Sequence, residues 1–244
     1  RTQPAQHDGP ARLHNVGFAA ALLMLLVLAA WVRYEHIRDI GMWAWPDSEQ
    51  YLHNALNFPT LGEVGGQRFQ PVTHVIHAVS LYLLGDTDYA IKSANAFFDL
   101  LNCILLALLT WRFTKSRLIS ILTVAFYAFS PVVVFFARNE LPHPIAATFG
   151  MLTFWAFIRY VEGHGRKRIV FLALAGLLGG LSAGVHQAML FLGPAYVLGI
   201  VVFLWQVCCD GSASPWRSRA FWGQSIRDSA WFTAFFFLPL LAFA

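Results

Sequence analysis

The stretch Met-Trp-Ala-Trp-Pro-Asp-Ser-Glu-Gln-Tyr-Leu-His, residues 42–53, follows the first long apolar run of a very apolar chain. Pro46 favours a turn or a helix start, and the residues after it can cap a helix that we expect to run to about Phe58. Asp47 and Glu49 therefore stand at a helix N-terminus beside the apolar run. Carboxylates there can hold a cation, accept a proton or simply cap the helix. The rest of the chain has to decide among these roles.

The composition indicates a membrane protein. Apolar residues make up 57% of the chain and charged residues 12%, whereas ordinary soluble domains carry roughly a quarter charged residues. A soluble globule could not cover so much apolar surface with polar groups. We therefore predict an all-α fold, a polytopic transmembrane helix bundle with a long first extracytoplasmic loop that carries short juxtamembrane helices.

Seven apolar segments are predicted to span the membrane. They cover about 16–34, 89–111, 118–137, 145–161, 169–185, 188–206 and 230–244. The last is shorter than the roughly 20 residues that cross a bilayer, so we expect the domain to be truncated at its C-terminus. Residues 1–15 are predicted as a flexible tail, and residues 16–244 as a single transmembrane domain.

A further apolar segment, 72–84, is too short to span and is predicted to lie at or dip into the membrane surface. With this segment outside the membrane and the N-terminus in the cytoplasm, most Lys and Arg residues are cytoplasmic, as the positive-inside rule requires. If it spanned, the clusters 112–117 and 166–168 would fall on opposite sides. Membrane orientation thus explains the formal net charge of +4, and we expect no nucleic-acid partner. The compact loops favour a bacterial inner membrane.

The outer face is predicted to gather charged and polar residues from three loops. They are Asp47, Glu49, Arg138, Glu140, His143, His186 and Gln187. Ionisable residues at membrane depth are costly and usually mark a site. Alternatively, Arg138 and Glu140 form a structural ion pair, and His186 bonds the backbone at a helix end. His74 and His77, in the short segment, are weaker candidates.

Two other patterns are expected to serve helix packing. Asn95, Asp99 and Asn102 share one face of the second span, where we expect them to bond a neighbouring helix. The fifth span contains glycines at 176, 179, 180 and 184, and small residues at this spacing let helices approach closely.

The ordered series of segments resembles a known family. After the first apolar helix, the series includes Trp-Pro-Asp-Ser-Glu-Gln-Tyr at 45–51, Gln-Pro at 70–71, Tyr-Leu-Leu-Gly at 82–85, Phe-Ser-Pro at 129–131 and an acidic, proline-bearing loop at 137–144. This series resembles the membrane module of C-type glycosyltransferases, in the branch with protein O-mannosyltransferases and lipid A aminoarabinose transferase. The resemblance covers about residues 16–206.

The resemblance implies a catalytic acidic residue in the first outer loop and a polyprenyl-phosphate-linked sugar as donor. Asp47 matches that position, with Tyr51 in register in the pattern Pro-Asp-Glu-x-x-Tyr. The chain departs from the pattern at Ser48, where the family often has Glu, and Glu49 follows one place on. Whether Glu49 has inherited a role therefore stays open.

The implied enzyme would use Asp47 as the catalytic base, with Glu49 and Glu140 as further catalytic candidates. Glu140 lies near the family's second acidic position, and His186 lies where relatives place a Lys or His facing the lipid donor. The substrate-binding candidates are Tyr51, Gln70, Arg138, His143, His186 and Gln187. Asp47 and Glu49 could instead hold Mg²⁺ or Mn²⁺.

The main hypothesis is therefore a membrane glycosyltransferase whose partners are a polyprenyl-phosphate sugar and membrane lipids. Two other functions are compatible with the sequence. The chain could be a non-catalytic subunit that keeps this fold and packs with other membrane subunits. It could also be a transporter, but transporters usually place charge near the bilayer midplane on broken helices. Most acidic residues here lie in outer loops, so we rank the transporter last.

Overall fold

The computed structural model describes residues 9–40, 46–56, 70–85, 87–209 and 219–242, and their side chains except at 9–15, 46–49, 87–88 and 208–209. The regular secondary structure in these ranges is helical, as predicted. The helices are α1 (Gly9–Tyr34), α2 (Pro46–Leu56), α3 (Pro71–Leu84), α4 (Thr87–Thr114), α5 (Arg117–Ala128), α6 (Pro131–Ala137), α7 (His143–Glu162), α8 (Gly165–Val185), a 3-10 turn (Gln187–Phe191), α9 (Leu192–Cys209) and α10 (Arg219–Leu241). Helix α1 thus begins inside the segment predicted as a tail.

Five described helices are long and apolar enough to cross a membrane, namely Val16–Tyr34, Tyr89–Thr114, His143–Glu162, Gly165–Val185 and Gln187–Val207. A sixth is counted if α5 and α6 form one span, although they meet at an angle of 62°. The bend has a local cause, because Pro131 begins α6 and disfavours helical backbone in Ser130 before it. Residues 230–241 of the seventh predicted span lie in α10, whose first half is charged, and seven spans stay a prediction.

Helix α3 confirms the short helix predicted for 72–84. It has 14 residues, which at 1.5 Å per residue gives about 21 Å, less than the roughly 30 Å of a bilayer core. Pro71 begins it, and Gly85 ends it with φ of 69° and an N–H bond to the Leu81 carbonyl. Glycine is the residue that most readily adopts this left-handed conformation at the end of a helix.

The helices form two packed groups. Helices α7 to α10 surround one apolar core that includes Tyr160, Leu172, Ile200 and Phe232. Helices α1, α4 and α5 surround a smaller core around Cys103. Helix α4 packs against both α5 and α7, and α3 lies across α4 and α8. Helix α2 packs on α3.

Close contact between α8 and α10 confirms the packing role predicted for the glycines. A Cβ on Gly176 would lie 2.5 Å from the Phe232 carbonyl oxygen, and one on Gly180 would overlap the Phe236 carbonyl oxygen. The contacts keep one offset along the chain, so the two helices run parallel. Only glycine allows the backbones to approach so closely.

Gly180→Ala is expected to destabilise the protein by about 1–3 kcal/mol, because the added methyl group must push α10 away from α8. The measurement is the free energy of unfolding in mixed micelles. Gly223→Ala is the matched control, because a Cβ at Gly223 in α10 meets no atom within 4 Å. Equal stability of the two variants would contradict the close contact.

The bundle has two ends of different character. Arg112 at the end of α4 pairs with Glu162 at the end of α7, so the basic α4–α5 and α7–α8 connections lie at one end, which we call the basic end. The other end, which we call the loop end, carries α2, α3 and residues 138–143 and 186–187. The two basic clusters, at 112–117 and 166–168, thus share one end, as the charge argument predicted.

Candidate functional site

Helix α2 is fixed to the loop end by buried polar contacts. The Tyr51 hydroxyl donates to the Gln70 side-chain oxygen at 2.9 Å, and the Asn54 amide lies 3.3 Å from Nε2 of His74. All four side chains are at least 96% buried. Because buried polar groups need partners, these bonds specify how α2 sits on α3. Sequence reasoning selected Tyr51 and Gln70 but did not predict that they bond each other.

Asp47 and Glu49 lie in the first turn of this anchored helix, since α2 begins at Pro46. Tyr51 follows Asp47 by one helical turn. The side chains of Asp47 and Glu49 lie outside the described part of the structure. Their catalytic and metal-binding roles therefore stay predictions.

Two buried histidines lie beneath α2. His74 and His77 are 1% and 0% exposed, and the Tyr51 ring lies 6.3 Å from each histidine ring. Burial lowers the pKa of His74 to about 4. Burial lowers the pKa of His77 to about 3, and the neighbouring His74 has a smaller effect in the same direction. Both rings are therefore neutral at physiological pH and form part of the packed support of α2.

Lowering the pH from 7 to 5 is expected to destabilise the protein by about 2 kcal/mol for each of these histidines. Their pKa is lower in the folded than in the unfolded protein, where it is 6.5. Their stabilising contribution is therefore complete above pH 6.5 and is lost as the pH falls toward 4 for His74 and 3 for His77. Melting temperatures from pH 7.5 to 5 measure the effect.

The control for this pH dependence is His164→Gln, which changes an exposed histidine at the basic end. We expect it to keep the wild-type slope of stability against pH, whereas His74→Gln and His77→Gln should each flatten that slope. A double variant with the slope of the wild type would contradict the burial of these rings in neutral form.

Glu140 is buried against Lys92 of α4. Its Oε1 lies 3.5 Å from the Lys92 ammonium, and both side chains are 1% exposed. Lys92 also donates to the main-chain carbonyl of Ile40. Arg138 instead donates to the main-chain carbonyl of Glu35 at 2.7 Å. The alternative of an Arg138–Glu140 ion pair is thus replaced by two separate links, and both tie the start of the first loop to the bundle.

His143 and His186 lie side by side, with ring centroids 5.0 Å apart. Phe136 packs edge-on against His143 at 4.6 Å. Nδ1 of His186 accepts the N–H of Ala188 at 3.3 Å, so the predicted backbone bond at this helix end is present. Gln187 begins the 3-10 turn and is exposed. The structure therefore brings both histidines together where α7 begins and α8 ends.

Asn95 fixes the second loop to α4. Its amide donates to the carbonyls of Asn139 at 2.7 Å and Leu141 at 3.0 Å, both in the loop before α7. Asn102 donates to the Pro144 carbonyl at 2.9 Å. The Asn102 contact confirms the predicted bond to a neighbouring helix, α7, whereas Asn95 bonds the loop that precedes it.

Asp99, the third residue of this face, holds a buried ion pair that sequence reasoning missed. Nε of Arg33 lies 2.5 Å from Oδ2 of Asp99, and the Tyr127 hydroxyl donates to Oδ1 at 2.6 Å. Arg33 is 0% exposed and lies at the end of the first predicted span, 16–34. Its position in the last turn of an apolar helix was the available signal, because a charge at membrane depth usually has a partner.

Where the structure describes side chains, no group of three or more His, Cys, Asp or Glu residues is arranged to hold a metal ion. The side chains of Asp47 and Glu49, the predicted ligands of Mg²⁺ or Mn²⁺, lie outside the described part of the structure, so this finding does not test them.

Comparison with known proteins identifies a family for this chain. The family model for dolichyl-phosphate-mannose-protein mannosyltransferase matches residues 70–215, which is more than half of the chain. No curated protein and no solved structure matches the chain. The matched region runs from the residue before α3 past the end of α9 and includes Glu140, His143 and His186. Residues 42–53 precede it.

Proposed function

The chain belongs to the dolichyl-phosphate-mannose-protein mannosyltransferase family, and we propose that it transfers a sugar from a polyprenyl-phosphate donor to an acceptor hydroxyl at the loop end. The hydroxyl oxygen attacks the anomeric carbon, and the bond from that carbon to the phosphate oxygen breaks. The bonding electrons leave with the phosphate, while Asp47 accepts the hydroxyl proton. The products are a glycoside and the polyprenyl phosphate.

The observation that carries this proposal is the anchoring of α2. A catalytic base must be held within hydrogen-bond reach of the proton that it removes. The Tyr51–Gln70 and Asn54–His74 contacts fix the helix whose first turn contains Asp47. Tyr51 and Gln70 are buried in this contact, so we assign them a positioning role instead of the substrate contact that the sequence suggested.

The departing phosphate needs hydrogen-bond donors, because negative charge develops on it as the bond breaks. Arg138 offers five N–H groups, of which one is used in its bond to the Glu35 carbonyl. The neighbouring rings of His143 and His186 supply further polar atoms at the same end of the bundle. We assign these three residues to the donor phosphate. Gln187, exposed beside His186, is a candidate contact of the sugar.

Glu140 is assigned a positioning role as well. Its burial and its pairing with Lys92 favour fixing the first and second loops over contact with the acceptor. Glu49 is the candidate for a second carboxylate beside Asp47, either orienting the acceptor or sharing Mg²⁺ or Mn²⁺ with it.

The orientation proposed for the chain places the loop end outside and the N-terminus in the cytoplasm of a bacterial inner membrane. The grouping of the two basic connections at the other end supports it, because positively charged loops are retained in the cytoplasm.

The proposal is tested with the full chain in proteoliposomes that contain polyprenyl-phosphate mannose labelled in the sugar. The readouts are labelled product and released polyprenyl phosphate after addition of a membrane extract as acceptor. We expect release that depends on the extract. A sample with EDTA, and one with Mn²⁺ restored, tests the metal. Donor that binds but is never turned over would overturn the proposal and favour the non-catalytic membrane subunit.

A further inference from the structure

Two adjoining cavities lie at the basic end, far along the helices from α2 and α3. One, of about 300 Å³, lies between α4 and α7 and is lined by Leu108, Leu109, Trp111, Arg112, Lys115 and Trp155. The other, of about 330 Å³, lies at the α7–α8 connection and is lined by Arg159, Glu162, Gly163, His164, Lys167 and Phe171. Neither cavity contains a residue of the proposed active site.

Residues that line the two cavities contact each other across the end of α7. Arg112 of the first bonds Glu162 of the second. The Trp155 ring of the first packs edge-on against the Phe171 ring of the second, with centroids 5.8 Å apart. Arg159 lies over that same Phe171 ring at 5.5 Å. One elongated ligand could therefore occupy both cavities.

The charges of this combined site favour an anion. Four cationic side chains, Arg112, Lys115, Arg159 and Lys167, line it together with a single carboxylate. That carboxylate, on Glu162, is already shared between Arg112 and Arg159. Lys115 and Lys167 are exposed, and neither makes an ion pair with a side chain that the structure places. The site thus has an excess of three positive charges.

The apolar part of the site favours an amphiphile over a soluble anion. Trp111 and Trp155 remain 44% and 38% exposed, and with Leu108 and Leu109 they continue from the cations along the helices. Tryptophan is enriched where membrane helices meet the interface, and basic pockets between helices bind anionic lipid headgroups. A headgroup at the cations would direct its acyl chains along this apolar surface.

We propose that the two cavities form a binding site for one anionic glycerophospholipid, with the phosphate held by Lys115 and Lys167 and the acyl chains against Trp111 and Trp155. The site does not depend on the transferase activity proposed above. It would fix the relative positions of α4, α7 and α8 from the membrane side opposite to the loop end.

The test is native mass spectrometry of the full chain in neutral detergent, titrated with phosphatidylglycerol or phosphatidylcholine. We expect one phosphatidylglycerol to be retained in preference to phosphatidylcholine. The variant Lys115→Gln/Lys167→Gln should weaken this binding about 25-fold, since each membrane-proximal cation contributes about fivefold. The matched control is Arg166→Gln/Arg219→Gln, which removes two exposed charges that line neither cavity and should change binding less than twofold.

Three results would overturn the proposal. Equal retention of phosphatidylcholine would show an unspecific apolar surface. Equal weakening by the control variant would show diffuse attraction to the basic end. Displacement of phosphatidylglycerol by millimolar inorganic phosphate would show a site for a soluble anion. Melting temperatures of both variants in detergent establish that each is folded.

Discussion

Asp47→Asn is expected to lower kcat for sugar transfer by about 100- to 10,000-fold, the usual contribution of a general base. The amide has nearly the shape of the carboxylate but cannot accept the acceptor proton. Because the change leaves the donor site intact, we expect KM for the donor to change little. The measurement is the rate of polyprenyl-phosphate release in proteoliposomes under saturating donor.

Two further variants make this result specific to Asp47. Asp39→Asn changes another first-loop carboxylate, which is 73% exposed and bonded to His36, and it should retain wild-type activity. Glu49→Gln tests the departure from the family pattern at Ser48. If Glu49→Gln is inactive while Asp47→Asn is active, the base is Glu49 and the assignment of Asp47 is wrong. Equal melting temperatures exclude a folding defect as the cause.

Arg33→Met is expected to cost about 3–5 kcal/mol of unfolding free energy, because it leaves the Asp99 carboxylate buried without its cation. The two side chains are 0% and 1% exposed. Arg33 also donates to the carbonyls of Ala29 and Ala128 at 3.0 and 3.1 Å, so it joins α1 to α5 as well as to α4. Unfolding in mixed micelles with increasing sodium dodecyl sulfate measures the loss.

The double variant Arg33→Met/Asp99→Asn should recover part of that loss. It removes the unpaired charge, and the amide oxygen can still accept from the Tyr127 hydroxyl. Arg38→Met is the matched control, because Arg38 is exposed and lies over the Tyr89 ring at 4.3 Å, an interaction worth about 0.5–1 kcal/mol at such sites. If Arg33→Met were no less stable than Arg38→Met, the buried pair would not support the bundle.

Local sequence was sufficient where one segment's own chemistry determines its structure. The length of the apolar segment 72–84 predicted a short helix that does not span, and α3 confirms the short helix. The glycines of the fifth span predicted close packing, and two of them, Gly176 and Gly180, meet the backbone of α10. The polar face of the second span predicted bonds to a neighbouring helix, and Asp99 and Asn102 make them, while Asn95 bonds the loop before α7.

Partners across the bundle could not be predicted in the same way. Glu140 was considered beside Arg138, two residues away, but it lies against Lys92 of α4. His74 and His77 were weak candidates by sequence, and their complete burial beneath α2 followed from the packing of three helices. The helical period shows which residues lie on the same face of one helix. It does not show how that helix is aligned along its neighbours, so it cannot predict contacts between helices.

The sequence alone determined that this chain is a helical membrane protein related to C-type glycosyltransferases, because apolar content, segment length and motif order are properties of the chain itself. The tertiary structure decided which charges are neutralised inside the bundle. Arg33 and Asp99 are 66 residues apart in the chain, and their contact depends on how α1 and α4 pack. The cost of burying a charge in an apolar medium makes such pairs necessary, but only the packed helices select the partners.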